Sequence, residues 1–136
     1  MRSVIYEKIK TFADDNGYQF YYGVKGYQNL ETINNELNAP VIYLAPIIER
    51  ANYGTNWNRT LEYDILIFIG VKSDLDEDYD EEKWLLNIKP LENIKEALCQ
   101  EIGCSSIKIK SSRVSEAINE FDGNLDGLNI ECSLAI

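Results

Sequence analysis

The sequence contains no histidine in its 136 residues. Histidine is the commonest general base and a frequent metal ligand, so its absence excludes Ser-His and Cys-His nucleophile pairs. A phosphate-binding Walker loop is also missing, because the glycines of GVKG (residues 23–26) have neither the required spacing nor a following Ser or Thr. These absences predict that the chain is not an enzyme and has no catalytic residues and no cofactor.

Cysteine is scarce, with only Cys99, Cys104 and Cys132, and no two of them form a CxxC pair. Small secreted domains that depend on disulfides usually have a dense, even set of cysteines, so this pattern favours free thiols in a reducing compartment. Cys99 and Cys132 fall on apolar faces, where we expect them to belong to the core.

Long apolar segments are absent as well. The longest apolar run, residues 65–71, suits a buried strand and is far shorter than the roughly 20 residues of a membrane span. The opening residues MRSVIYEKIK carry charges every few positions and lack the apolar segment of a signal peptide. We therefore expect a soluble, cytoplasmic protein with no membrane partner.

Basic residues are outnumbered, since 13 Lys and Arg stand against 23 Asp and Glu, and the net charge is −10. Direct binding to DNA or RNA depends on clustered Lys and Arg, so it is disfavoured here. Binding to anionic membranes is disfavoured for the same reason. Solubility alone explains the charge equally well.

Much of the acidic excess lies in one stretch, KSDLDEDYDEE (residues 72–82). Its alternating aspartates resemble a calcium loop: Asp74, Asp76, Asp78 and Asp80. The match fails because Tyr79 stands where glycine is needed and Leu85 stands where a bidentate Glu is needed. We predict a solvated or partner-facing acidic loop and no metal site.

Helical periodicity marks three segments of the chain. Residues 3–15 place apolar side chains on one face and end before Gly17, which suits a left-handed helix exit. Residues 29–37 fit a short helix. The longest segment spans residues 81–102, and Pro90 within it predicts a kink or two abutting helices.

The first strands are predicted in the middle of the chain. Residues 41–50 are β-branched and apolar, and Pro46 places a bulge or a sheet edge among them. Residues 59–71 alternate apolar with charged side chains, and the two segments predict a long antiparallel hairpin. Upstream, the aromatic residues 18–24 predict a short strand or an extended connection.

The end of the chain returns to a period of two. Residues 107–110 alternate Ile with Lys, and residues 113–121 predict another strand. A turn at DGNLDG (122–127) and a cleanly alternating strand at 128–136 follow. The order helix, hairpin, helix, hairpin predicts a single α+β domain over residues 1–136. Its antiparallel sheet is built from the two hairpins, with the helices packed on one face.

The loop between the first two predicted strands, ANYGTNWN (51–58), combines two aromatic residues with small polar ones and precedes Arg59. Aromatic and Arg side chains are enriched in interface hot spots. The loop is therefore a candidate docking element, formed by Asn52, Tyr53, Trp57 and Arg59. The alternative is that Trp57 folds back over the sheet and closes the core.

This element order resembles that of the tail-terminator and tail-completion proteins of long-tailed phages. An opening helix is followed by a long hairpin, here residues 41–50 and 61–71. An amphipathic helix comes next, here residues 84–102, and then a closing hairpin with a DG-containing turn, here residues 113–136. The resemblance covers nearly the whole chain and is architectural, without a fixed motif.

The resemblance implies a virion structural protein. Its copies would form a ring, expected as a hexamer, at the head-tail junction, where the ring terminates the tail tube and joins it to the head connector. The implied partners are other copies of the chain, the tail-tube protein and the connector proteins. DNA would pass through without specific binding. The implied location is the host cytoplasm during assembly and then the neck of the virion.

Within such a ring the acidic run has an implied role. An acidic bore would repel DNA phosphates and let the genome slide through. The candidate lining residues are Asp74, Asp76, Glu77, Asp78 and Asp80. The loop 51–58 is the candidate docking element of the same ring.

Two other classes of function stay open from the residues. One is a small acidic regulatory or inhibitor domain that acts by protein binding and mimics nucleic acid with its acidic loop. The other is a small hydrolase or ligand-binding domain, which the missing histidine and motifs disfavour. Mass and shape in solution separate a ring from a monomeric or dimeric inhibitor.

Overall fold

The computed structural model describes residues 1–23, 40–55, 58–72, 81–103, 106–120 and 125–135, without the side chains of residues 83 and 118–120. This part forms a mixed α+β structure with a six-stranded sheet, which confirms the predicted fold class. Its main elements are α1 (Arg2–Asp15), β1 (Gln19–Tyr22), β2 (Val41–Leu44), β3 (Ile48–Tyr53), β4 (Arg59–Lys72), α2 (Lys89–Ile102), β5 (Lys108–Glu120) and β6 (Leu125–Ala135). Four features of the sequence prediction lie outside the described residues: the helix 29–37, Trp57, the acidic run 73–80 and Cys104.

The strands lie in the order β1-β2-β4-β6-β5, and β3 also pairs with β4. Every pair is antiparallel except β1 and β2, which run parallel with Gln19 opposite Val41. The prediction of a purely antiparallel sheet is therefore wrong at this edge. Parallel neighbours need a long crossover connection, and residues 23–40 provide the length for it.

Pro46 divides the predicted strand 41–50 into β2 and β3, and both pieces pair with β4. Proline has no N–H to donate to a ladder, so regular pairing stops there. The Ala45 N–H donates to the Leu66 carbonyl at 3.0 Å, and pairing resumes at Ile48. The predicted interruption at Pro46 is confirmed, and β4 confirms the clearest strand of the sequence.

The closing hairpin is longer than the sequence predicted. Residues 107–110 and 113–121 were expected to form separate strands, but β5 is continuous across both, with register shifts near Lys110 and after Ala117. Such irregularities change the phase of alternation, which is why the segment resembled two strands. β6 begins at Leu125, so the second half of the predicted DGNLDG turn is strand.

The second helical region is irregular at its start. An α-helical turn (Glu81–Lys83) and a π-helical turn (Trp84–Ile88) precede α2, in which Pro90 is the second residue. Proline costs little there, because the first N–H groups of a helix have no partner within it. The helix irregularity expected around Pro90 therefore lies just before this residue, in the π-helical turn. No helix within the described ranges is long and apolar enough to cross a membrane.

One face of the sheet packs against α1 and α2 and forms the main core. Alternate residues of β4 point into this layer, and Tyr63, Ile65, Ile67 and Ile69 are at most 3% exposed. The helical segments add a second set of buried side chains: Ile5, Ile9, Phe12, Ala13, Ile88, Leu91, Leu98 and Ile102. The predicted packing of the helices on one face is confirmed.

A smaller cluster is buried on the opposite face and consists of Val41, Tyr43, Phe68, Ala117 and Leu125. Beside it, Gly70 and Gly127 lie opposite each other on β4 and β6. A Cβ atom on Gly127 would stand 2.1 Å from the Ile69 carbonyl oxygen and 2.8 Å from the Phe68 ring. The two glycines therefore let the strands and this ring pack closely.

Candidate interaction face

The candidate site lies on the sheet face opposite the helices, around the first half of β4. A period of two sends Glu62, Asp64 and Leu66 to this side, between the core residues of the same strand. Asp64 lies opposite Ile48 of β3 and Ser133 of β6. The following residues are called the open face: Ile48, Arg50, Glu62, Asp64, Leu66, Lys110, Arg113, Glu131 and Ser133.

A row of four charged side chains crosses the open face in the order Lys110, Glu62, Arg50, Asp64. Arg50 binds Asp64 with two hydrogen bonds, from Nε to Oδ2 at 2.8 Å and from Nη2 to Oδ1 at 3.0 Å. The same Nη2 lies 3.1 Å from Oε2 of Glu62, and Lys110 donates to Oε1 of that carboxylate. Arg50 also donates to Ser133 Oγ at 3.2 Å, which ties the row to β6.

The alternating charges shift pKa values within the row. The pKa of Glu62 is lowered, mainly because Lys110 donates a hydrogen bond to its carboxylate, with help from the charges of Lys110 and Arg50. The pKa of Arg50 is raised, mainly by its hydrogen bonds to Asp64. Two cations and two anions cancel, so the row has no net charge. Exposed ion pairs add little stability, and their main effect here is to hold four side chains in one arrangement.

Apolar side chains border the charged row in an open groove of about 530 Å³. Ile48 is 59% exposed and Leu66 is 39% exposed, next to the exposed Pro46. On the other side of the groove Arg113 lies opposite Glu131 in the β5–β6 pairing. Apolar and polar groups mixed in this way, and open to solvent, are typical of protein–protein contacts. A small-molecule site would enclose most of its ligand.

The strands β3 and β5 each have one free edge in the described part of the chain. β3 pairs only with β4, and β5 pairs only with β6. All six residues of β3 are exposed. The free N–H and C=O groups of an edge strand can form hydrogen bonds with a strand of another chain. The register shift of β5 near Lys110 makes that edge irregular at this point.

The predicted docking loop is shorter than expected, and three of its four candidate residues lie in strands. Asn52 and Tyr53 end β3, and Arg59 begins β4. The structure brings Tyr53 and Arg59 together as a cross-strand pair, and Tyr53 is 64% exposed. The Gly54 N–H donates to the Asn58 carbonyl at 2.7 Å and closes the hairpin. The two strands therefore pair regularly as far as Tyr53 and Arg59. The fourth candidate, Trp57, lies outside the described residues.

The five predicted bore residues also lie outside the described residues: Asp74, Asp76, Glu77, Asp78 and Asp80. Their placement in a bore therefore stays a prediction. The open face, in contrast, was missed by the sequence reasoning. Its signal was present in β4, where Glu62 and Asp64 alternate with apolar residues, but alternation does not reveal which cations reach these carboxylates across neighbouring strands.

The described residues contain no group of three or more His, Cys, Asp or Glu side chains arranged to hold a metal ion. Every buried side-chain nitrogen or oxygen in the same part of the chain has a hydrogen-bond partner. No orphaned polar group thus points to a bound ligand there.

Comparison with known proteins does not assign the chain to a family. No protein-family model matches the chain, and no curated protein matches it. The resemblance to tail terminators accordingly depends on the order of the elements and not on shared sequence.

Proposed function

We propose that the chain is a virion structural protein that forms a ring, a hexamer, at the phage head-tail junction, terminates the tail tube and joins it to the head connector. One observation carries the contact function: Ile48 and Leu66 are exposed in the groove of the open face, beside a row of paired charges. The phage assignment is supported by the element order. The two supports are independent of each other.

The open face has the makeup of a surface that another protein covers. Burying exposed aliphatic side chains provides the favourable free energy of association. The charges of the row already satisfy one another, so a partner can cover them without leaving an unpaired ion behind. A partner that fits this face therefore gains from apolar contact and from polar groups that match the fixed row.

The free edges of β3 and β5 suit head-to-tail association of identical copies. They are different surfaces of the sheet, separated by β4 and β6. Contacts between two different surfaces are heterologous, and they close into a ring when the rotation between neighbours divides a full turn. Such closure would set the copy number.

The proposed partners are other copies of the chain, the tail-tube protein and the connector proteins, and DNA passes through the ring unbound. A net charge of −10 suits a channel that does not retain DNA phosphates. The proposed location is the host cytoplasm during assembly and the virion afterwards.

The test is the oligomeric state, measured by size-exclusion chromatography with light scattering and by negative-stain imaging. We expect concentration-dependent oligomers or rings, alone or with the tail-tube protein encoded in the same genome. Ile48→Glu is expected to reduce the mass to that of the monomer. Leu86→Glu is the matched control, because Leu86 is 69% exposed and lies in the π-helical turn, away from the open face. Circular dichroism confirms that both variants fold.

Two outcomes would overturn the proposal. A chain that is monomeric at every concentration and does not bind the tail-tube protein is not a ring subunit. If Ile48→Glu and Leu86→Glu lose association equally, the effect is not specific to the open face, and the open face is not assigned as the contact surface. Tight binding to a nucleic-acid-binding enzyme would instead favour an inhibitor.

A further inference from the structure

Arg113 is the one cation of the open face without a partner among the described residues. The other two cations of this face, Arg50 and Lys110, are already paired within the charged row. Arg113 lies opposite Glu131 in the β5–β6 pairing, yet within the described part of the chain its guanidinium forms no ion pair or hydrogen bond. It is exposed and lines the groove. The groove therefore offers a free guanidinium to a carboxylate of another molecule.

The outer surface of α1 carries the matching groups on another side of the molecule. Val4, which is 43% exposed, shares one stripe of the helix with the exposed Thr11 and Asp15, because α-helical spacing places the three on the same face. Asp15 is the last residue of α1, where the helix dipole is negative, and the last turn contains no basic residue. Its carboxylate has no partner within the described ranges. A cation from another molecule would therefore be favourable at this helix end.

The apolar and the charged group are equally far apart on the two surfaces. On α1, a rise of about 1.5 Å per residue separates Val4 from Asp15 by roughly 16 Å. On the open face, one row of paired residues crosses β3, β4, β6 and β5: Ile48, Asp64, Ser133 and Ser111. Arg113 lies two positions further along β5. Strand spacings of about 4.8 Å and a rise of about 3.3 Å per residue place Arg113 roughly 16 Å from Ile48.

We propose that the outer surface of α1 in one copy of the chain packs across the open face of a second copy. Val4 then contacts Ile48 and Leu66, and Asp15 forms an ion pair with Arg113. The two surfaces are different, so the contact is heterologous, as in a closed ring. Copies with a net charge of −10 repel one another, and the ion pair offsets part of that repulsion where they meet. The inference rests on the proposed function, because it names the surface that covers the open face in the ring.

The test reverses the two charges separately and together. Arg113→Asp and Asp15→Arg are each expected to raise the dissociation constant of self-association about tenfold. The double variant is expected to restore most of the association, because the ion pair forms again with its charges exchanged. Lys89→Asp is the matched control, since it changes the net charge as Arg113→Asp does, at an exposed position of α2 that belongs to neither surface. Light scattering over a concentration series measures the constants, and circular dichroism confirms folding.

A cross-link identifies the covering surface directly. Arg113→Lys presents an amine, which a zero-length carbodiimide joins to a carboxylate in contact with it. In a mixture of isotope-labelled and unlabelled copies, we expect mixed-label peptides that join position 113 to Asp15. Lys110 and Glu62 are the internal control, because they are in contact within one copy and give peptides of a single label.

The outcomes separate this contact from the ring itself. If the wild type associates, but Arg113→Asp weakens association no more than Lys89→Asp does, the α1 contact is wrong and the proposed ring stands. The contact is also wrong if the double variant associates no better than the single variants, or if position 113 links only to Glu131 of its own copy. A wild-type chain that stays monomeric with and without the tail-tube protein overturns both the contact and the ring.

Discussion

Around residues 62–67 the two faces of β4 differ in how far their side chains are exposed. Tyr63, Ile65 and Ile67 point into the helix layer and are at most 3% exposed, whereas Leu66 on the other face is 39% exposed. Both sets of side chains belong to one continuous strand, so the comparison is made within the same backbone conformation. The contrast separates the residues that stabilise the fold from those that are available for contact.

The same contrast continues along the face opposite the helices. At one end Phe68 packs over Gly70 and Gly127 and is 2% exposed. At the other end the charged row and Ile48 meet solvent. Only the second region has side chains that association with a partner would bury further.

The largest expected effect comes from truncating the same kind of side chain on each face of β4. Ile67→Ala removes a fully buried side chain and is expected to lower the free energy of unfolding by about 2–5 kcal/mol. Leu66→Ala is its matched control and is expected to cost less than about 1 kcal/mol, because Leu66 is already partly in water. Urea denaturation measures both values. Equal costs would show that the two faces do not differ in packing.

A second prediction concerns the packed end of the face opposite the helices. Gly127→Ala places a Cβ atom 2.1 Å from the Ile69 carbonyl oxygen, so the strands must separate, and we expect a loss of about 1–3 kcal/mol. Gly54→Ala is the control, since its Cβ would meet no atom closer than 3.6 Å, and it is expected to change stability by about 0.5 kcal/mol or less. Thermal denaturation of both variants measures the difference. A Gly127→Ala protein as stable as the Gly54→Ala protein would contradict the close packing.

Local patterns predicted the elements that tertiary pairing does not alter. The alternation in β4 and the helical spacing before Gly17 are signals within one segment, and both are confirmed, with Gly17 at a φ of +73° after α1. Pro46 acts through its missing N–H, which is also a local property, and the interruption it predicted is confirmed. Chemistry that belongs to one residue or one segment can therefore be predicted from sequence.

Relations between distant segments were not predictable from these patterns. The parallel pairing of β1 with β2 depends on how residues 23–40 connect them, and periodicity carries no information on strand direction. The candidate site also depends on the pairing of distant segments, since Lys110 reaches Glu62 only because β6 places β5 near β4.

The smallest expected effect is a pH dependence that distinguishes the charged row from an ordinary exposed surface. Because Lys110 and Arg50 lower the pKa of Glu62 in the folded chain, this carboxylate contributes stability above its usual pKa of about 4.3 and loses it as the pH falls through the lowered value. Urea denaturation at several pH values should therefore show that the free energy of unfolding falls less steeply with decreasing pH in Glu62→Gln than in the wild type. Lys110→Met should also make this fall less steep, because it removes the main cause of the lowered Glu62 pKa while Arg50 and Asp64 remain. An equally steep fall in all three proteins would mean that the row does not hold its geometry in solution. In that case only the apolar side chains of the open face would distinguish it from other exposed surfaces.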